Sequence, residues 1–175
     1  MLNLISLFAA LCSLGSVAAQ EAGGTPAAAG ENGNFHILQL WTDDADRFTT
    51  QWNQPTPPSL STTTRMERNQ PLTQFIIFSN CTPDAAGNCL LHAEVTITQP
   101  DGEIYGEILT FPAYDNHPAP EANMLFLTPN SIGIRIEDGE LLGPYLIRLA
   151  LTDVYGNRTA ISNVTLEAVE APGEE

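Results

Sequence analysis

The sequence predicts an all-β domain: an antiparallel β-sandwich of about seven to nine strands with one short N-terminal helix. Three observations lead there. Apolar and polar residues alternate in many short runs, most cleanly in "LLHAEVTITQ" and "GPYLIRLALTD". Pro and Gly, 13 of each, fall largely between those runs, where turns are needed. One segment, "TDDADRFTTQW", has helical rather than alternating spacing.

Taken in order, the chain opens on "MLNLISLFAALCSLGSVAAQ". Leu2 to Val17 is almost wholly apolar, and Val17 and Ala19 occupy the small-residue positions before a signal-peptidase cut. Residues 1–19 are read as a signal peptide cleaved after Ala19, leaving Gln20 first. The run is short for a bilayer span, and no Lys or Arg precedes it. Cys12 is preceded by Leu11, not by the Gly, Ala or Ser that a lipoprotein site needs. Residues 20–34, rich in Gly and Ala without apolar period, are read as a flexible leader. Residues 35–168 form the domain, and 169–175 an acidic, disordered tail.

Within the domain, "FHILQLW" is apolar on both faces, the pattern of a strand covered on two sides. Phe35, Ile37, Gln39 and Trp41 share one face. In the helical segment, Thr42 or Asp43 is positioned to cap, acids fill the first turn, and Phe48 and Trp52 fall on one face toward the sheet. Pro55 ends the pattern. "LSTTTRMER" and "PLTQFIIFSN" read as strands, the second with a dense apolar centre. In "LLHAEVTITQ", Leu91, Ala93, Val95 and Ile97 point inward. "EILTFPAYDNHPAPEA" starts as a strand and decays into a Pro-rich loop. "NMLFLTP" and "SIGIRIEDGE" are short apolar runs. "GPYLIRLALTD" and "AISNVTLEA" flank a Gly-Asn turn and form a β-hairpin, with Ser162, Val164, Leu166 and Ala168 inward.

That hairpin resembles the penultimate and last strands of immunoglobulin-like and fibronectin-like sandwiches. In those folds a tyrosine lies two residues before a core position and ties a corner through its hydroxyl. Tyr145 and Ile147 match the spacing, which makes Tyr145 the candidate tyrosine corner. The cysteine that antibody domains carry at the Ile147 position is absent. More broadly, "FHILQLWTDDADRF", "CTPDAAGNC" and "PDGEIYGE" resemble an exported family of proteobacterial proteins with no assigned activity. The resemblance implies a cell-envelope setting and no specific chemistry.

With Cys12 in the signal, the mature chain keeps Cys81 and Cys89. A close pair in an exported protein reads as a disulfide, worth about 2.6 kcal/mol by the loop-entropy relation. A redox pair would use C-x-x-C at a helix start. Zinc would need more ligands than the nearby His92 supplies. No metal site or cofactor is expected. The chain has 21 Asp and Glu against 6 Lys and Arg, a formal net charge of -15, so nucleic acid and anionic membrane surfaces are improbable partners. The acids are scattered, as on a solubilising surface.

Other candidate groups have structural explanations. "TDDAD", "TPDAAGN" with Asp84 and Asn88, and "IEDGE" hold calcium-type oxygens without EF-hand spacing. His36 reads as a strand residue and His117 as a loop residue. No nucleophile–base motif or phosphate loop is present, and no enzyme is expected. Trp41, Trp52 and Tyr114 could form a sugar platform, although Trp41 and Trp52 have spacings that suit burial. Asn80, Asn157 and Asn163 lie in sequons, discounted for a bacterial protein. The expected role is an exported, periplasmic or secreted, non-catalytic interaction or structural module of the cell envelope, with an envelope or extracellular protein as partner. The alternative is a carbohydrate or calcium binder using the end loops Cys81–Cys89 and Tyr114–Glu121.

Overall fold

The computed structural model describes residues 27–54 and 59–172. The signal segment with Cys12, the Ala19–Gln20 cut, residues 20–26 of the leader, the Pro-rich residues 55–58 and the last three residues lie outside them. Ten strands and one helix follow in order: β1 (Ala27–Asn32), β2 (Phe35–Thr42), α1 (Ala45–Trp52), β3 (Arg65–Glu67), β4 (Leu72–Ser79), β5 (Asn88–Thr98), β6 (Leu109–Pro118), β7 (Phe126–Leu127), β8 (Ile132–Ile134), β9 (Gly143–Asp153) and β10 (Arg158–Val169).

They make two facing sheets, ordered β1-β2-β4 with β7 and β8 both on β4, and β3-β10-β9-β5-β6. β7 pairs with Ile77 and Phe78, and β8 with Leu72 to Gln74, both antiparallel to β4. They are two halves of one strand, interrupted at Pro129, whose nitrogen cannot donate to a ladder. The arrangement is immunoglobulin-like. β2, β4 and the broken β7–β8 strand take the places of A, B and E, while β5, β9 and β10 take those of C, F and G, with β6 extending the second sheet beside β5. The pairing is antiparallel throughout except that β3 runs parallel to β10, through Arg65 to Glu67 against Glu167 to Val169.

The core lies between the sheets, where β5 and β10 alternate in burial and β9 does so except at Ala150, which is also buried. Cys89, Leu91, Ala93 and Val95 lie beside Ile147, Leu149, Leu151, Val164 and Leu166 on one sheet, across from Phe35, Ile37, Ile76 and Phe78 on the other. A second cluster sits on the outer face of the first sheet. Phe48 of α1 stacks flat on Phe75 with ring centroids 4.2 Å apart, over Leu40 and Ile77. The helix is thus why β2 and β4 are apolar on both faces. Asp44 caps it, its Oδ1 accepting from Arg47 N at 2.9 Å, and not Thr42 or Asp43. Thr42 is spent one step earlier, its hydroxyl accepting from Asp44 N at 3.1 Å.

A polar chain crosses the core. The Ser162 hydroxyl donates to Ala28 O at 2.8 Å, Gln39 Nε2 donates to Ser162 Oγ at 2.9 Å, and Gln74 Nε2 donates to Gln39 Oε1 at 2.7 Å. The terminal carbonyl acceptor sets the direction of every bond. Each contributes about 0.5–1.5 kcal/mol, and each would cost more if left unmade.

Several sequence readings change. The leader does not reach residue 34: β1 pairs with β2 from Ala27↔Leu40 to Asn32↔Phe35, turning through Gly33 and Asn34. Its lack of large apolar residues has a steric cause at Gly30. A Cβ on Gly30 would stand 2.1 Å from Ile161 O of β10, so only a bare backbone fits where β1 closes the gap between the sheets. The strand read over residues 60–67 shortens to Arg65–Glu67, and β6 persists to Pro118 where a loop was expected. The tail starts later than residue 169: Val169 ends β10, and the Glu170 carboxylate accepts from Arg68 Nε at 3.0 Å.

The close approach at Gly30 can be tested directly. Gly30→Val should destabilise the domain by about 1–3 kcal/mol in thermal or urea unfolding, the usual range for overpacking. It should also release β1, read as faster protease cutting near residue 30; a variant as stable and as protected as the parent would contradict this packing.

Candidate functional site

The disulfide end of the sandwich is organised by one carboxylate. Asp153 closes β9 on its inward face and is fully buried. Its Oδ2 accepts from Arg158 Nε at 3.0 Å and Thr82 N at 2.9 Å, and its Oδ1 from Gly156 N at 3.2 Å. Arg158 spreads outward from there. Its guanidinium donates to Asn34 Oδ1, to Asn80 O at 2.6 Å and to Thr82 Oγ1 at 3.3 Å, and lies 5.3 Å from the Phe35 ring centroid. Asn80, at φ 61°, donates to Asn34 O at 2.9 Å and accepts from Asn123 N at 2.8 Å.

Cys81 and Cys89 are bonded, their Cα atoms 6.1 Å apart. The loop between them is shaped by Asp84, whose Oδ1 accepts from Ala86 N at 2.9 Å and Asn88 N at 2.8 Å. Gly87 takes φ 84°, and its carbonyl accepts from Ala119 N at 2.9 Å. Asp84 is therefore a turn-forming group. Among the described residues no three His, Cys, Asp or Glu side chains are placed to hold a metal ion. Between Cys81–Pro83 and Ala119–Ala122 lies an open cleft of ≈ 430 Å³, with Asn34, Asn80 and Arg158 at its base.

The opposite end is tied by tyrosines. The Tyr145 hydroxyl donates to Leu141 O at 2.8 Å, the corner geometry that its place at the start of β9 suggests. The Tyr105 ring meets Tyr145 edge-on at 5.7 Å, and its hydroxyl donates to the Glu140 carboxylate at 2.9 Å. Burial, then that hydrogen bond and the Glu140 charge, push the Tyr105 phenol up to about 12. Burial also raises Tyr145 and Tyr114. Arg68 joins this end, donating to Glu137 O and to the Glu170 carboxylate.

The third feature is lateral. A groove of ≈ 410 Å³ runs between the last turn of α1 and β7, lined by Thr49, Trp52, Phe75, Phe126, Leu127 and Pro129 among others. Beside it, Met124 (56%), Leu125 (58%) and Phe126 (39%) are exposed in succession. Other large apolar side chains are exposed elsewhere, Leu141 and Leu142 among them, but here three stand in succession beside a groove, the arrangement that marks a contact site. Phe126 is held from behind by Tyr114 at 5.4 Å and Phe78 at 5.8 Å between ring centroids.

The sequence candidates are dispersed by the fold. Trp41 is fully buried in the core, Trp52 lines the groove, and Tyr114 lies inside with its hydroxyl donating to Pro118 O at 2.7 Å. The three histidines stand apart. His36 lies 3.4 Å from Glu31 Oε2, His92 is exposed on β5, and His117 packs on Tyr114. Asn157 and Asn163 are exposed, whereas Asn80 is engaged in the Arg158 cluster. Sequence reasoning passed over Asp153, Arg158 and the 124–126 stripe. Asp153 had a readable signal: it continues the inward parity of Tyr145, Ile147, Leu149 and Leu151.

No protein-family model and no curated protein matches the chain. Among solved structures, the chain is similar to a family 123 glycoside hydrolase from Clostridium perfringens, at 12% identity and a TM-score of 0.41, over 61% of this chain and 22% of the hydrolase. It is also similar to a Niemann-Pick type C2 protein from the Japanese carpenter ant, at 6% identity and a TM-score of 0.39, over 86% of this chain and 96% of that one.

Two outcomes test this geometry. Asp153→Ala should cost about 3–5 kcal/mol in urea unfolding, because it strands a charged guanidinium and two part-buried N–H groups. A loss under 1 kcal/mol would mean the cluster does not hold this end. At high pH the sign is set by the raised phenols. Their contribution is complete below pH 10, the ordinary tyrosine value, and is lost as pH rises through about 12 for Tyr105. Melting temperature should hold to pH 10 and fall beyond it, less steeply in Tyr105→Phe; an identical decline in the variant would remove Tyr105 as a cause.

Proposed function

We propose that this protein is an exported, non-catalytic interaction module that works through its surface. The observation that carries the reading is the apolar stripe Met124–Leu125–Phe126 beside the α1–β7 groove. Three large apolar side chains left in water cost solubility, which the net charge of -15 offsets, and they contribute free energy only when a partner covers them. Export is supported by the Cys81–Cys89 disulfide and the apolar first 19 residues. Among the described residues no helix is long and apolar enough to cross a membrane. The envelope setting rests on the sequence resemblance.

A second reading is favoured by the cleft at the disulfide end. It opens between the two end loops that the sequence singles out, lined by the hydrogen-bonded side chains of Asn34, Asn80 and Thr82 and by Pro83 and Pro120. A small neutral carbohydrate suits that lining better than an anion, since Asp153 already neutralises Arg158.

The interaction reading is tested by site-specific photo-crosslinking in the native host. A crosslinker at Leu125 should trap one defined protein partner, and the adduct should disappear in Met124→Ser/Leu125→Ser. The same crosslinker at Thr110, on the far sheet, should not trap it. Equal trapping from both positions, or none from Leu125, would overturn the reading. For the second reading, a glycan panel should raise the melting temperature for at least one sugar, and no rise at millimolar sugar would remove it.

A further inference from the structure

We infer that the α1–β7 groove takes a basic polypeptide segment, anchored by an apolar side chain between Trp52 and Phe126 with a Lys or Arg beside the last turn of α1. The inference rests on the interaction reading above and specifies the partner's chemistry.

The apolar anchor follows from the lining. Trp52, Phe75, Phe126 and Leu127 give the groove an aromatic and aliphatic floor, and Met124 and Leu125 extend it at the rim. A side chain of Leu or Phe size that leaves water here gains about 1.5–3 kcal/mol.

The cation follows from two independent features. The first is local. Thr49, Trp52 and Asn53 form one wall of the groove and are the C-terminal turn of α1 and its cap. That is the negative end of the helix dipole, and the last turn of α1 contains no basic residue. Asn53 already caps the last carbonyls, but Lys, Arg or His near a helix C-terminus also interacts favourably with its dipole, so a partner can supply a charge that α1 lacks, with the Trp52 ring as a second attraction for it. The second feature is global. The chain carries a net charge of -15, and five of its six arginines stand in ion pairs with its own carboxylates. The field outside the protein is anionic, which steers a cationic segment in and turns an acidic one away.

The occupant is a protein segment because β7 also offers backbone. It is the outermost strand on its path through the first sheet, ending in Thr128, whose amide reaches Ile76 O at 2.9 Å. An extended chain lying along it would run beside the outer edge of this two-residue strand as well as the apolar stripe.

The test uses the mature chain and three labelled synthetic peptides of alternating residues, Leu with Lys, Leu with Gln and Leu with Glu, read by fluorescence anisotropy. The Lys peptide should bind at least about tenfold more tightly than the other two and weaken with added salt. Met124→Ser/Leu125→Ser, both at exposed positions, should reduce its affinity by about tenfold or more. Asn53→Arg, which puts a cation at the helix end, should weaken the Lys peptide and leave the Gln peptide unchanged. Equal binding of all three peptides, lost in the Ser variant, would keep the groove as a contact surface and overturn its preference for a cation. Undiminished Lys-peptide binding in the Ser variant would place the peptide elsewhere on the acidic surface and overturn the site. So would a parent chain that sediments as a dimer and becomes monomeric in the Ser variant, since a second copy would then cover the groove.

Discussion

Asp153 is the constraint on which one whole end of the molecule depends. A carboxylate withdrawn from water is stable only when its charge is matched and its lone pairs are filled. The chain does both with groups from separate places. Arg158 comes from the opposite strand of the hairpin, directly across in register, while Thr82 N comes from beyond β4 and Gly156 N from the turn. Arg158 in turn fixes Asn34, Asn80 and Phe35. The end of β4, the start of β2, the disulfide and the last hairpin therefore cannot move independently. In antibody-type domains a disulfide between sheets serves at the sandwich centre. Here apolar Ile147 fills that place, and the covalent link has moved to the end, beside the buried ion pair.

The helix has a comparable role for the first sheet. Without it, Leu40, Phe75 and Ile77 would be a bare apolar patch on the outer face of a strand pair. Phe48 covers them, but eight residues of helix cannot cover the whole face. Coverage ends at Trp52, and the groove begins there. The interruption of the β7–β8 strand at Pro129 forms the other bank. The groove is thus a consequence of two shortfalls, a short helix and a broken strand, on a sheet that is otherwise apolar on both sides.

Much of this was legible in the sequence. The alternation of β5, β9 and β10 placed the core residues correctly, and the two-sided apolar pattern of β2 anticipated a cover that α1 supplies. The illegible parts have physical causes. β1 is nearly featureless because its place demands small residues, Gly30 above all, and small residues have no amphipathic period to read. β6 contains Pro112 and Pro118, which suggest a loop, yet it is an edge strand where a missing N–H is tolerated. Asp153 could have been found, since a carboxylate at core parity requires a partner and Arg158 is the first cation after the turn. The stripe at 124–126 could not, because an apolar run gives no sign of which of its residues a neighbouring strand will cover.

Both ends of the sandwich consume their polar side chains in fastening. At one end Asp153, Arg158 and Asn80 bond to one another and to loop backbone; at the other Tyr105, Glu140, Arg68 and Glu170 do the same. End loops are where sandwich domains commonly carry specificity, because those loops are free to vary. Loops cross-tied by buried charge and a disulfide have little freedom to re-form around a partner. The side of the first sheet is different. Its exposed apolar groups, Met124, Leu125 and Phe126, lie along a strand edge, and the polar side chains at the rim, Thr49 and Asn53, bond only to the helix backbone. Association there needs no rearrangement of the fasteners, so the cost of binding reduces to ordering the partner. The division between rigid ends and an available flank is the reason the proposed contact is placed on the flank.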